Sequence, residues 1–104
     1  MEHALIVYIT LSNHKLGLGK DRQIISLLEN KISSALEDAG FGELDGDEFG
    51  EGECVIYTYG PDADMLWSII FPFLAAELKT YKGYAIKRYG EADDPEVREE
   101  RVSW

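Results

Sequence analysis

The chain has 104 residues, with 20 acids against 10 bases and a formal net charge of −10. That length suits one domain, residues 1–104, with one core, and the charge opposes binding to the phosphate backbone of nucleic acids. Hydrophobic residues make up 45%, more than a disordered chain of this charge carries, and the longest apolar stretch, Met65 to Ala76, is too short to cross a bilayer. Met1-Glu2-His3 lacks the basic start of a secretory leader, and the single cysteine, Cys54, has no partner for an internal disulfide. The chain therefore reads as a cytosolic protein and Cys54 as a buried structural thiol.

Leu5-Ile-Val-Tyr-Ile-Thr-Leu11 is β-branched and aromatic without a breaker, which predicts a buried central strand. A loop from Ser12 to Lys20 follows, with Asp21 as the cap of a helix, or with Lys20 or Asp21 one position inside it. Ile25, Leu28, Ile32, Ala35, Leu36 and Ala39 recur at steps of three and four and make one apolar helical stripe that stops at Gly40. Glu43 to Phe49 is polar and predicts an edge strand. Gly50-Glu-Gly52 is a turn, and Glu53 to Tyr59 predicts a strong strand, so the pair reads as a hairpin.

Gly60-Pro61-Asp62 breaks that strand and offers a cap for a second helix. This helix carries Leu66, Ile69, Ile70, Phe73 and Leu78 on one side, with Trp67, Phe71 and Leu74 as another stripe. Pro72 within it predicts a kink or a split. Tyr84 to Tyr89 is the fourth strand, and the tail from Glu99 to Trp104 either folds back as a fifth strand or stays loose. The order β-α-β-β-α-β is the split pattern of α+β, ferredoxin-like folds, in which right-handed crossovers place two helices on one face of an antiparallel sheet. The first and third strands are then central, where the two most apolar segments fall.

Charge is segregated along the chain. Residues 43–64 hold eight acids and no base, and residues 91–100 hold six acids and only Arg98. A clustered field of one sign attracts cationic partners, although a solvated edge that guards a strand against unwanted pairing gives the same pattern. Asp45-Gly-Asp47-Glu48 resembles the start of a calcium loop, but the sixth and twelfth positions hold Gly50 and Ile56, so the closing glutamate is missing. Gly17-Leu-Gly19-Lys20 resembles the end of a phosphate loop, but Asp21 replaces the hydroxyl residue that holds magnesium. His3 and His14 stand apart from other metal-ligating residues, and the acids lie in runs without an apolar pocket to raise one of them. No metal, cofactor or catalytic set is expected.

Tyr8, Tyr57 and Tyr59 fall on the sheet face opposite the helices, where they make an aromatic platform. Such platforms stack bases in some RNA-binding domains, but here only Lys87 and Arg88 lie near and the net charge is adverse. A dimer interface or small-ligand site fits these tyrosines better.

The segment Gly42 to Glu53, Tyr57-Thr-Tyr-Gly-Pro-Asp-Ala-Asp64 and Arg88-Tyr-Gly90 together resemble a group of small bacterial proteins of uncharacterised function. That group shares a GEFDGxE-G-GE, YGPDAD and RYG pattern over nearly the whole length; Leu44 departs from the aromatic expected in it. The resemblance implies a bacterial cytosolic setting and the fold, and no activity. A looser, class-level similarity is to the immunity proteins of bacterial toxin systems, which are often small, acidic and α+β.

The expectation is a non-enzymatic, acidic protein-binding module of the immunity type that docks on a basic toxin or nuclease surface through Asp45, Asp47, Glu48, Glu51 and Glu53, with Asp62 and Asp64 beside them. The alternative is a dimeric, ligand-binding regulatory domain that uses Trp67, Phe71 and the open face with Tyr8, Tyr57 and Tyr59. Neither a membrane nor a nucleic acid is expected as partner.

Overall fold

The computed structural model describes residues 2–12 and 17–104; His14 and part of the Ser12–Lys20 loop lie outside the described residues. Strand β1, His3–Thr10, is followed by helix α1, Gly19–Ala39, the hairpin strands β2, Glu43–Gly50, and β3, Glu53–Gly60, helix α2, Ala63–Glu77, and strands β4, Gly83–Arg88, and β5, Glu99–Val102. The five strands form one sheet in the order β2-β3-β1-β4-β5, every neighbouring pair antiparallel. This is the ferredoxin-like α+β arrangement with one strand added at the β4 side. The tail folds back because β4 would otherwise be a bare edge: Ala85 pairs Val102 and Arg88 pairs Glu99.

Both helices cover one face of the sheet. Alternation along β1 sends Leu5, Val7 and Ile9 into the core, and the same alternation along β3 sends Cys54 and Ile56 there, all fully buried. They meet Ile25, Leu28, Ile32 and Leu36 from α1 and Leu66, Ile70 and Leu74 from α2. Leu74 thus belongs to the buried stripe of α2 rather than to a second one, because it follows Leu66 and Ile70 at steps of four. Trp67 is half-buried and Phe71 exposed. Of the α1 stripe, only Ala39 is exposed.

Pro72 does not split α2, which runs unbroken from Ala63 to Glu77. It sits on the solvent side, as does Ser68, so the carbonyl that the missing N–H leaves free faces water rather than the core. Two glycines are required by close approach. Gly42 has φ +73° and would press a β-carbon to 2.6 Å from the Tyr59 carbonyl oxygen. At Gly83 a β-carbon would lie 2.4 Å from the Trp104 ring, whose indole N–H donates to the Leu78 carbonyl at 3.3 Å and closes that end of the core.

Asp21 is not the cap of α1. The cap residue is Leu18, and Asp21 lies in the first turn, fully buried. Its carboxylate accepts from the Ser12 hydroxyl at 2.9 Å, from the Leu18 backbone N–H at 2.8 Å and from the Tyr81 hydroxyl at 2.5 Å. One buried charge therefore ties together the end of β1, the start of α1 and the segment between α2 and β4. Burial pushes the carboxyl up, but the Tyr81, Leu18 and Ser12 donors outweigh it and hold its pKa at about 2.

Removing this carboxylate leaves several donors unpaired, so Asp21→Ala should lower the unfolding free energy by roughly 2–4 kcal/mol. The sign with pH follows from the depressed pKa: the stabilisation is present above about 3.8 and is lost as pH falls toward about 2. Denaturant titrations of wild type and Asp21→Asn across that window check it; equal acid sensitivity in the two proteins would refute the role.

Candidate functional site

The hairpin of β2 and β3 forms one edge of the sheet, with β2 outermost. Its tight turn puts Glu51 at a positive φ of 52°, and a bulge between Leu44 and Gly46 breaks the regular ladder with β3, a common way to blunt an edge. Six carboxylates lie on it: Glu43, Asp45, Asp47, Glu48, Glu51 and Glu53. All but the half-buried Glu53 are exposed. Among the described residues, none of the six takes part in an ion pair; the pairs are Lys31 with Glu77, and Lys87 with Asp64 and Glu100.

The sheet divides these acids. Asp47 pairs Ile56 and Phe49 pairs Cys54, so both lie on the helix side. Glu48 pairs Val55 on the open side, and Glu53 shares that side opposite Thr10. On the helix side, Asp47 and Phe49 join Arg22, Ile25, Ser26, Glu29 and Asn30 around a shallow cleft of about 360 Å³, with the Arg22 guanidinium 4.3 Å above the Phe49 ring. Burial, then the hydrogen-bonded carboxyl of Asp47, push the Glu29 carboxyl up to about 8. Nothing in the sequence marked Glu29, because its neighbourhood with Asp47 arises only when α1 packs beside β2. Cys54 is buried beneath this site, and burial pushes its thiol up to about 12, with Asp47 and Glu29 adding to the effect; a thiol so protonated is a poor nucleophile.

Asp62 and Asp64 belong to a different place and have internal tasks. Asp62 caps α2, accepting from the backbone N–H groups of Asp64 at 2.9 Å and Met65 at 3.2 Å, the role expected of it. Asp64 accepts from Lys87 Nζ at 3.1 Å and the Tyr89 hydroxyl at 2.6 Å, which hold its carboxyl below the usual range. His3 accepts from the Ala63 N–H at 3.1 Å and meets the Tyr89 ring edge-on at 5.7 Å. The YGPDAD and RYG segments therefore meet at one end of the sheet as a structural lock. Acids of the tail are also engaged: Glu100 pairs with Lys87, and Glu91 accepts from the Glu2 N–H at 2.6 Å.

Tyr8, Tyr57 and Tyr59 share the open face, joined by Tyr84, whose ring stacks on Tyr8 at 4.8 Å. Trp67 and Phe71 pack on each other at 5.1 Å but sit on α2, in the layer across the sheet. One interface cannot use both groups, so the expectation that placed them together is corrected. The separation is a consequence of strand alternation, which turned the tyrosines away from the helices.

The Glu29 carboxyl gives a test in solution. Its raised pKa makes the contribution to stability fully present below about 4.5 and lost as pH rises through about 8. Glu29→Gln removes the titration, and at the alkaline end it should unfold later than wild type by about 1 kcal/mol after solvent screening, with no difference at the acid end. Thermal melts at both ends check this, and a wild-type stability that is flat across the window would refute the carboxyl pair.

Among the described residues no group of three or more His, Cys, Asp or Glu side chains is placed to hold a metal ion, and no helix is long and apolar enough to cross a membrane. In comparisons with protein families, curated proteins and solved structures, no match to this chain was found.

Proposed function

We propose that this protein is a non-enzymatic binding module that docks the β2–β3 hairpin edge against a basic protein surface, as an immunity-type inhibitor would cover the cationic active site of a toxic nuclease. The observation that carries this reading is the charge of the hairpin: six carboxylates, five of them exposed, and none in an ion pair among the described residues. Asp45 lies at the bulge of β2 and Glu51 in the turn, both exposed. Asp47 lies on the helix side beside the cleft, and Glu48 and Glu53 lie on the open-face side. Their fields overlap, because the strands lie about 4.8 Å apart and the Debye length at physiological salt is about 8 Å. Such a field steers a cationic partner and sets its orientation, and Phe49 beside the cleft supplies apolar contact.

Asp62 and Asp64 have no part in this surface, since one caps a helix and the other holds Lys87 and Tyr89. The test is calorimetric titration against a panel of purified basic ribonucleases and deoxyribonucleases from bacterial toxin systems. A cognate member should bind, and charge reversal by Asp45→Lys, Asp47→Lys and Glu51→Lys together should weaken it by about a hundredfold or more. The control Asp93→Lys with Glu96→Lys, exposed on the segment between β4 and β5 at the opposite edge of the sheet, should leave affinity unchanged. A complex indifferent to the hairpin reversal and to molar salt would rule the mechanism out.

A further inference from the structure

The open face of the sheet has an order that the hairpin reading uses only at its Glu48 and Glu53 margin. Strand pairing arranges its side chains in rows across the sheet. The first row runs Glu43, Tyr59, Ala4, Arg88, Glu99; the second Gly46, Tyr57, Ile6, Ile86, Arg101; and the third Glu48, Val55, Tyr8, Tyr84. The centre is apolar and aromatic, and Ile6, Val55, Ile86 and all four tyrosines stay only half-buried. Glu43 and Glu48 occupy the β2 side without an arginine, and both arginines occupy the β4–β5 side, where Glu99 lies at the rim. Each arginine already lies near a tyrosine ring, Arg101 at 3.8 Å from that of Tyr84 and Arg88 at 6.0 Å from that of Tyr59, and Arg88 Nε also donates to the Gly90 carbonyl at 2.8 Å.

We propose that this face pairs two copies of the chain, sheet against sheet, about a two-fold axis parallel to β1. β1 is the middle of the five strands, so that axis carries the β4–β5 side of one copy over the β2–β3 side of the other. Tyr59 then meets the partner's Arg88 position, and Arg101 reaches the strand that bears Glu48, twice per dimer. An axis across the strands would lay β2 on β2 and oppose acid to acid. In the first arrangement Glu43 also comes over the partner's Glu99 at the rim, but Arg101 is brought toward Glu48 and Arg88 toward Tyr59. The second sets Glu43 toward Glu48 and Arg101 on its own copy. The first is the more complementary of the two, and a two-fold interface requires self-complementarity. Size permits it: the molecule is a slab of 37 × 31 × 20 Å, and a stable interface needs about 800 Å² from each partner. Aligned face-to-face packing is an ordinary way for two sheets to meet.

Sedimentation velocity on the full chain over a wide concentration range tests the proposal. Wild type should form a reversible dimer. Ile6→Glu, at the centre of the face and outside the core, should be monomeric with an unchanged thermal melt. Arg101→Glu and Glu48→Arg should each weaken self-association by about tenfold or more, and mixing the two should restore it as a heterodimer, because both cross-axis pairs are then reformed. A wild type that is monomeric at every concentration, dimers that survive Ile6→Glu, or mixed variants that fail to pair would overturn it. The hairpin triple reversal Asp45→Lys, Asp47→Lys, Glu51→Lys should remain dimeric, which keeps this result separate from that of the nuclease titration.

Discussion

Everything in this molecule depends on the two-residue alternation of β1 and β3. Because successive side chains of a strand point to opposite faces, Leu5, Val7, Ile9, Cys54 and Ile56 make a floor for both helices, while Tyr8, Tyr57 and Tyr59 are turned to the other side. The floor gives the helices something to cover, and the hydrophobic burial there holds the fold. The same alternation leaves an aromatic face without a covering layer. A one-residue slip of β1 against β3 would exchange the two sets and destroy both.

Electrostatics follows the sheet as well. The acids at the α2 end and in the tail are largely consumed within the molecule, by Lys87, by helix capping and by backbone N–H groups. Those of the β2–β3 hairpin take part in no ion pair among the described residues, although Glu48 accepts from the Tyr57 hydroxyl, and Glu29 brings a further carboxyl against Asp47. Concentrating like charge where no internal cation answers it costs stability, and that cost sits at the exposed edge of the sheet. An edge strand so charged is protected from pairing with other chains.

Asp21 shows how a buried charge serves architecture rather than chemistry. Its partners come from three separate segments, Ser12, Leu18 and Tyr81, so the carboxylate is fully hydrogen-bonded and has no proton to exchange near neutral pH. In the sequence it read as a helix cap, a reading based on the single local rule that places an acid before a helix. In its true position, inside the first turn, it joins the Leu18 N–H three residues back to a tyrosine 60 residues away.

The sequence by itself determined the element order, the ferredoxin-like topology, the apolar stripe of α1, the capping by Asp62 and the concentration of acids in two segments. These are local or periodic properties, and periodicity survives without knowledge of neighbours. Only the tertiary structure decided which acids stay unpaired, because pairing with Lys87 or crowding against Glu29 joins residues from elements distant in the chain. It also decided that the tail closes the β4 edge, that Leu74 belongs to the core, and that Trp67 and Phe71 lie across the sheet from the tyrosines. Each of these turns on which face of one element meets another, and that is settled by packing in three dimensions rather than by residue type.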